Sequence, residues 1–403
     1  MRRALGLVTG GFLAVACALD GSGTSNNVNV GGGGGVGATG GVGATGGVGG
    51  GVGATGGVGA TGGVGATGGV GATGGVGATG GAAGAGGAAG AAGVAGSGGG
   101  PTFDPPWWNA TWKSRWNVPV KNATGANLPQ GFQVALQVDA ASIDGAAPPY
   151  DAWRMVRWDG TNTTELHRMV DDTGGHQWIW FRSQADIGAG KTDSSYWLYA
   201  AAPSAGPAAS GADVFDFYST FASEDPSTWA KTGNVSYSGG AVVLDGDASI
   251  RSQVNTFAPG NAVDFGMTVL TPLPNAGLWF CGGFQRQNDF TNVQPWILWI
   301  SRAPSNIQTE IDNGLGVVWT GSNVPVNQGV GHVYGVDRFQ KKVVFRYDHV
   351  EKANHGWGAA YGDALQIRFS AYAGSKIRVT FARVRQARDP WPEASLGKSE
   401  QYP

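Results

Sequence analysis

Carboxylates two residues apart on a strand point to the same side. A Glu-x-Asp-x-Glu strand can therefore set an acid and a nucleophile at the roughly 5 to 5.5 Å that retaining glycoside hydrolysis needs. Glu310-Ile311-Asp312 supplies the first half of such a run. Gly314 stands where the second Glu belongs, so no local acid is left to protonate a leaving group. The residues thus predict no catalytic site, and the expectation is a chain that is not an enzyme. Glu351 or Glu224, carried in by the fold, would be the remote substitute.

Other reactive types are sparse. His167, His176, His332, His349 and His355 lack tight metal spacing. The nearest approach to a zinc set is His349, Glu351 and His355, interrupted by Lys352-Ala353-Asn354, which reads as a hairpin turn. Asp245-Gly246-Asp247 and Asp171-Asp172 could offer oxygens to Ca²⁺, but Asp beside Gly is ordinary turn chemistry. No metal and no cofactor is expected, and no Gly-x-Ser-x-Gly elbow occurs. Tryptophan is the richer resource, with 16 copies. Its flat apolar face and N–H edge suit a sugar ring. Most must fill cores, and those beside turns are the surface candidates: Trp158 before Asp159-Gly160, Trp319 before Thr320-Gly321, and Trp357 between glycines. Trp296 and Trp299, three apart, must face opposite ways on a strand.

The elements carrying these residues follow a very different N-terminal stretch. Met1-Arg2-Arg3 and the apolar run Ala4 to Ala16 have the form of an export signal, too short to span a bilayer. Leu13-Ala14-Val15-Ala16-Cys17 resembles the lipobox of bacterial lipoproteins, whose first mature cysteine is lipidated. Ala14-Val15-Ala16 also suits ordinary cleavage. Residues 1–16 are therefore assigned as signal and Cys17 as the lipidation site. Ala18 is compatible with sorting to the outer membrane. The chain has two cysteines, so lipidation or loss of Cys17 leaves Cys281 without a partner, a small hydrophobe in an apolar run.

Just over half of the 73 glycines lie between Gly31 and Gly100, where Val-Gly-Ala-Thr-Gly-Gly repeats, and no charged residue occurs from Gly21 to Phe103. Such a segment buries too little apolar surface to offset its ordering entropy, so residues 17–106 read as a disordered tether. About 85 residues of this kind span roughly 50 Å root-mean-square. Each repeat contains Gly-Val-Gly-Ala-Thr-Gly, formally a dinucleotide fingerprint, but no strand enters it and no helix leaves it. Ala185 to Thr192 imitates a phosphate loop, yet the β-rich Ser195 to Tyr199 follows where a helix is required. With 28 acidic against 26 basic residues, nucleic acid is not the expected partner.

After Pro101, short alternating segments separated by Gly, Pro, Asn and Asp clusters predict an all-β chain. Phe132, Val134, Leu136 and Val138 share one face. Trp178 and Trp180 oppose Ile179 and Phe181. Ile377, Val379 and Phe381 are expected to point inward. Trp112 to Val120, Leu128-Pro129, Tyr150 to Gly160, Trp178 to Phe181 and Tyr196 to Tyr199 resemble the bacterial surface family called domain of unknown function 2341. Val214 to Tyr218, with Phe221 and Trp229, resembles the entry to a second jelly roll of the concanavalin or laminin-G type, and Arg383 to Arg385, Pro390 and Ser395 to Gly397 its closing strand. The resemblance implies two β-sandwich (jelly-roll-like) domains, 107–210 and 211–398, with a surface role in glycan binding and no agreed active site. The expectation is an exported lipoprotein of the outer membrane or cell surface. It would bind polysaccharide or another surface polymer through Trp158, Trp319 and Trp357 without catalysis. A polysaccharide-active enzyme and a protein-binding adhesion module are the alternatives.

Overall fold

A computed structural model describes residues 103–143, 150, 152–173, 176–200, 209–253, 256–271, 280–286, 295–303, 305–312, 317–319, 323–356, 362–372 and 374–403. Cys17, the residues expected to form a signal, most of those expected to form a tether, and Trp357 lie outside them. The described chain is almost entirely antiparallel β, as its alternating pattern requires.

The first sandwich pairs two sheets. One follows the order Glu393–Ala394, Ser114–Lys121, Thr192–Ala200, Arg154–Trp158, Thr163–Leu166, and the other runs Gln133–Val138, His176–Arg182, Arg168–Thr173. Trp116, Val118 and Val120 of one sheet meet Val134, Leu136, Val138, Ile179 and Phe181 of the other. Trp180 turns to the opposite face, as alternation demands.

The second sandwich is the larger. Its two sheets each contain eight strands among the described residues. One is centred on Asn261–Thr271, flanked by Lys376–Gln386 and Gly331–Arg338. The other runs Val317–Trp319, Asn306–Asp312, Trp296–Ala303, Phe280–Gln285, Gln366–Ala371, Ala248–Ser252, Trp229–Thr232. Between them lie Phe265, Phe284, Ile297, Trp299, Tyr334, Phe345, Ile367 and Phe369, a jelly-roll core.

Several expectations are corrected. Ile377 and Val379 do point inward, but Phe381 is only half-buried, because Gly266 pairs with Phe381 and Met267 with Val379, leaving Thr380 as a bulge. The extra residue flips the alternation, so Ala382 and Val384 enter the core while Arg383 and Arg385 face away from it. The tight turn falls at Asp348 and His349, which adopt positive φ of 48° and 64°, and Lys352-Ala353-Asn354 lies within the strand Val350–Gly356. Folded structure begins before residue 107. Phe103 packs on Trp107 and Tyr402, and the Pro105 and Pro106 carbonyls accept hydrogen bonds from Arg115. The C-terminal residues do not close the second sandwich. Glu393–Ala394 and Ser399–Gln401 both pair with Ser114–Lys121 of the first.

The sandwiches meet at a charged, aromatic junction. Arg383 is fully buried, with its guanidinium 4.6 Å from the ring centroids of both Trp180 and Phe215. It pairs with Asp171 of the first sandwich and Asp264 of the second. Arg385 bridges Asp264 and Asp337, and its guanidinium lies 4.3 Å from the Trp391 ring. Burial alone would raise the Asp264 carboxyl, but Arg385 and Arg383 outweigh it and hold the carboxyl well below the usual range. His349 completes the junction, 4.6 Å from Trp178. Its Nε2 is buried without a hydrogen-bond partner, and burial together with Arg383 pulls its pKa from 6.5 down to about 4.

The sign of that shift fixes a pH dependence. The folded state holds His349 neutral while the unfolded state takes up a proton near pH 6.5, so this contribution is complete above 6.5 and is lost as pH falls towards 4. Its size is up to about 3 kcal/mol. Urea unfolding should therefore show the wild type losing more stability than His349→Leu as pH falls from 7 to 4. Equal losses would refute this assignment.

Candidate functional site

The outer face of the Phe280–Gln285 sheet, turned away from the core, gathers the polar groups that the sequence scattered. Alternation sends Ile307 and Ile311 into the core and leaves Glu310 and Asp312 on the outer side. Cross-strand register then aligns two rows. In the first, Trp319 pairs with Glu310, Glu310 with Leu298, Leu298 with Gly283, Gly283 with Arg368, and Arg368 with Arg251. In the second, Asp312 pairs with Trp296, Trp296 with Gln285, and Gln285 with Gln366. At about 4.8 Å between neighbouring strands, Glu310 and Arg368 stand roughly 14 Å apart across the face.

Glu310 is completely buried. Trp296 Nε1 donates to its Oε1 at 2.9 Å, and Arg302 Nε and Nη2 donate to its Oε2 at 2.9 and 2.6 Å. Burial pushes its proton affinity above that of an ordinary Glu, against the opposing pull of Arg302. Trp296 is set by packing with Cys281, Leu298 and Ile300, a small apolar cluster on this same outer side. Gly283 sits mid-row at φ 147°, and a Cβ there would meet the Ile297 carbonyl oxygen. Any side chain would strain the backbone between Glu310 and Arg368.

At the far end, Arg368 Nε donates to Ser249 and Ser370 Oγ at 3.0 and 2.9 Å, and Nη1 donates to Gln285 Oε1 at 3.0 Å. Arg251 Nη1 reaches Gln366 Oε1 at 3.2 Å. A carboxyl held out of water beside a second carboxylate, with guanidinium and amide donors along one face, can exchange a proton with a polar ligand and grip its oxygens.

The expected binding residues do not converge. Trp319 falls on this face by backbone register, opposite Glu310. Trp158 ends a strand of the first sandwich and is half-buried against Trp112, Val156, Trp197 and Tyr199. Trp357 lies outside the described residues. Trp296, not named as a binding residue from sequence, is on the face, whereas Trp299 is in the core and donates to the Gly335 carbonyl. The remote carboxylates are elsewhere, since Glu224 pairs with Lys231 and Glu351 contacts Asn354. Asp171 is bound to Trp180 Nε1 and Arg383, and Asp245 to Lys376 beside a turn at Gly246. Among the described residues no cluster of three metal-ligating side chains occurs. Thr192 opens the strand Thr192–Ala200, so no helix follows the loop that imitates a phosphate site. Cys281 is buried and disulfide-bonded in this structure, which corrects the expectation that it lacks a partner.

The architecture defines a class: an all-β protein of stacked sandwiches, the larger of them a jelly roll. No family model matches the chain, and no curated protein does. Among solved structures it is similar to an endo-β-1,3-glucanase from Pyrococcus furiosus, with 12% identity over 43% of this chain and 94% of that one, at a TM-score of 0.36. It is similar to the catalytic domain of a laminarinase from Thermotoga petrophila, with 9% identity over 43% and 98%, at a TM-score of 0.36. The Emp47p carbohydrate recognition domain gives 9% identity over 43% and 96%, at the same TM-score. The expectation of a chain that is not an enzyme is corrected at this point, because glucanases stand among the structures it resembles. Likenesses of this size say nothing of the chemistry, which must come from the chain's own residues.

Proposed function

We propose that this is an exported surface protein whose second sandwich acts on a polysaccharide, with Glu310 and Asp312 as its working carboxyls. The observation that supports it is the burial of Glu310 on the same sheet face as Asp312, with Trp296 Nε1 and Arg302 fixing its oxygens. Glycosidic cleavage needs one carboxyl to give its proton to the departing oxygen as the bond to the sugar carbon breaks. A second, ionised carboxyl supports the positive charge growing on that carbon, and water finally supplies the new hydroxyl. Raised proton affinity suits Glu310 to the first task, and Asp312 is the neighbour for the second. The test is release of reducing ends by the purified protein from a panel of neutral and acidic polysaccharides. Release by wild type that disappears in both Glu310→Gln and Asp312→Asn supports the reading, and no release from any of them defeats it.

The same proposal places the chain on the cell surface, tethered through a lipidated Cys17. Support comes from the basic and apolar start, the lipobox-like run before Cys17 and the uncharged glycine-rich stretch after it. Several acyl chains, at about 0.8 kcal/mol per buried CH₂, make a stable anchor. A lipid-bearing sulfur cannot also join a disulfide, and the chain has two cysteines. Intact-mass measurement of the membrane-extracted protein should find the added mass of acyl chains, and an unacylated mass that retains the disulfide at Cys281 refutes the anchor.

A further inference from the structure

We propose that the hairpin tip at Asp348 and His349 is an acid-released latch between the two sandwiches: docked on Trp178 at neutral pH, it lets go when His349 takes up a proton.

The latch is built from one turn of the second sandwich. Asp348 and His349 join the strands Lys342–Tyr347 and Val350–Gly356 with φ of 48° and 64°, a left-handed backbone that side chains seldom adopt. Two such residues in succession store strain, and their surroundings must hold them there. The base of the turn does so. Asp348 Oδ1 accepts from the Val333 amide at 2.9 Å, its Oδ2 lies 2.8 Å from His332 Nδ1, and the His332 ring stacks on Tyr347. Braced in this way, the tip presents the His349 ring to the first sandwich, 4.6 Å from Trp178 and 6.0 Å from Trp180.

The charges around that ring are already matched. On the first sandwich, alternation puts Asp171, His176, Trp178 and Trp180 on the face turned to the tip. Asp171 is engaged by Arg383 and Trp180 Nε1, and His176 is exposed at the start of its strand. On the second sandwich stand Arg383, Arg385, Asp264, Asp337 and Arg346. Three guanidinium groups meet three carboxylates: Arg383 pairs with Asp171 and Asp264, Arg385 with Asp264 and Asp337, Arg346 with Asp337. On the hairpin itself Asp348 serves His332 and Val333, and Glu351 is exposed. An imidazolium would add a fourth positive charge to this balanced cluster, beside two guanidinium groups.

The ring is half-buried, so a proton can reach it without unfolding either core, while its Nε2 has no hydrogen-bond partner to lose. Docking holds the ring's proton affinity down at about 4, and release returns it to 6.5. The latch is therefore fully closed above pH 6.5 and weakens by up to about 300-fold as pH falls through 4. The Arg383 pairs and the strands Glu393–Ala394 and Ser399–Gln401, which bind to Ser114–Lys121, do not depend on His349. Release is accordingly confined to the tip, and the sandwiches stay joined.

Hydroxyl-radical footprinting of the full-length protein from pH 7.5 to 4, read by peptide mass spectrometry, tests the latch. Labelling of Trp178 should rise about threefold or more as pH falls, while Trp153 and Trp299, buried in the two cores, stay unchanged. His349→Asn removes the titrating ring and keeps a residue that tolerates the left-handed backbone, so its Trp178 labelling should not vary with pH. Flat Trp178 labelling in the wild type, or an equal rise in His349→Asn, overturns the proposal. A rise shared by Trp153 and Trp299 at the same pH is global unfolding and overturns it as well. If His349→Asn does not fold, wild-type Trp178 measured against the two core tryptophans decides.

Discussion

Replacing Arg383 by Ala should cost about 3 to 5 kcal/mol of stability and loosen both sandwiches together. The side chain is fully buried, and it pairs at once with Asp171 of the first sandwich and Asp264 of the second. Removing it leaves Asp171 buried without its countercharge, while Asp264 keeps Arg385, and an uncompensated buried charge is what makes the breaking of buried pairs expensive. The void between Trp180 and Phe215 adds the loss of cation–π contact, about 1 to 2 kcal/mol when desolvated. Arg378, exposed on the same strand, is the control and should move stability by no more than about 0.5 kcal/mol when truncated. Urea unfolding followed by tryptophan fluorescence would report both variants. A loss under 1 kcal/mol in Arg383→Ala would show that the junction does not bind the sandwiches to each other.

Glu310→Gln should lower kcat on the cleaved polymer by about 10²- to 10⁴-fold while changing KM little, the signature of a lost proton transfer rather than lost binding. Gln keeps the volume and can still accept from Trp296 Nε1, but its amide group cannot accept the Arg302 pair. A melting scan must therefore accompany the kinetics. Glu351→Gln, at an exposed edge strand, should leave both unchanged. Burial raises the Glu310 proton affinity, so in the wild type the alkaline limb of the rate profile should lie above the pH expected from a solvated Glu. Undiminished turnover in a folded Glu310→Gln protein would transfer the chemistry to another residue.

The sequence by itself determined the strand class and the sidedness of most strands. Side chains on a strand alternate strictly, so Val134, Leu136 and Val138 declare their inner face without help, as do the opposed pairs Trp178 and Trp180 against Ile179 and Phe181. The same rule correctly separated Trp296 from Trp299, and it placed Glu310 and Asp312 on one side.

Tertiary structure decided what depends on neighbours distant along the chain. The bulge at Thr380 arises from pairing with Gly266 and Met267, and nothing within Lys376 to Phe381 announces that Arg383 and Arg385 will turn to the junction. The return of Glu393–Ala394 and Ser399–Gln401 to the first sandwich is equally invisible locally, because edge pairing is chosen by whichever strand leaves an open ladder. Arg251, Gln285, Arg302 and Arg368 lie in four separate segments, and only sheet register places them on one face with Glu310. A missing second Glu argued against chemistry because the sequence compared residues along one strand. A sheet also assembles its sites across strands, through hydrogen-bond registers that no local pattern records.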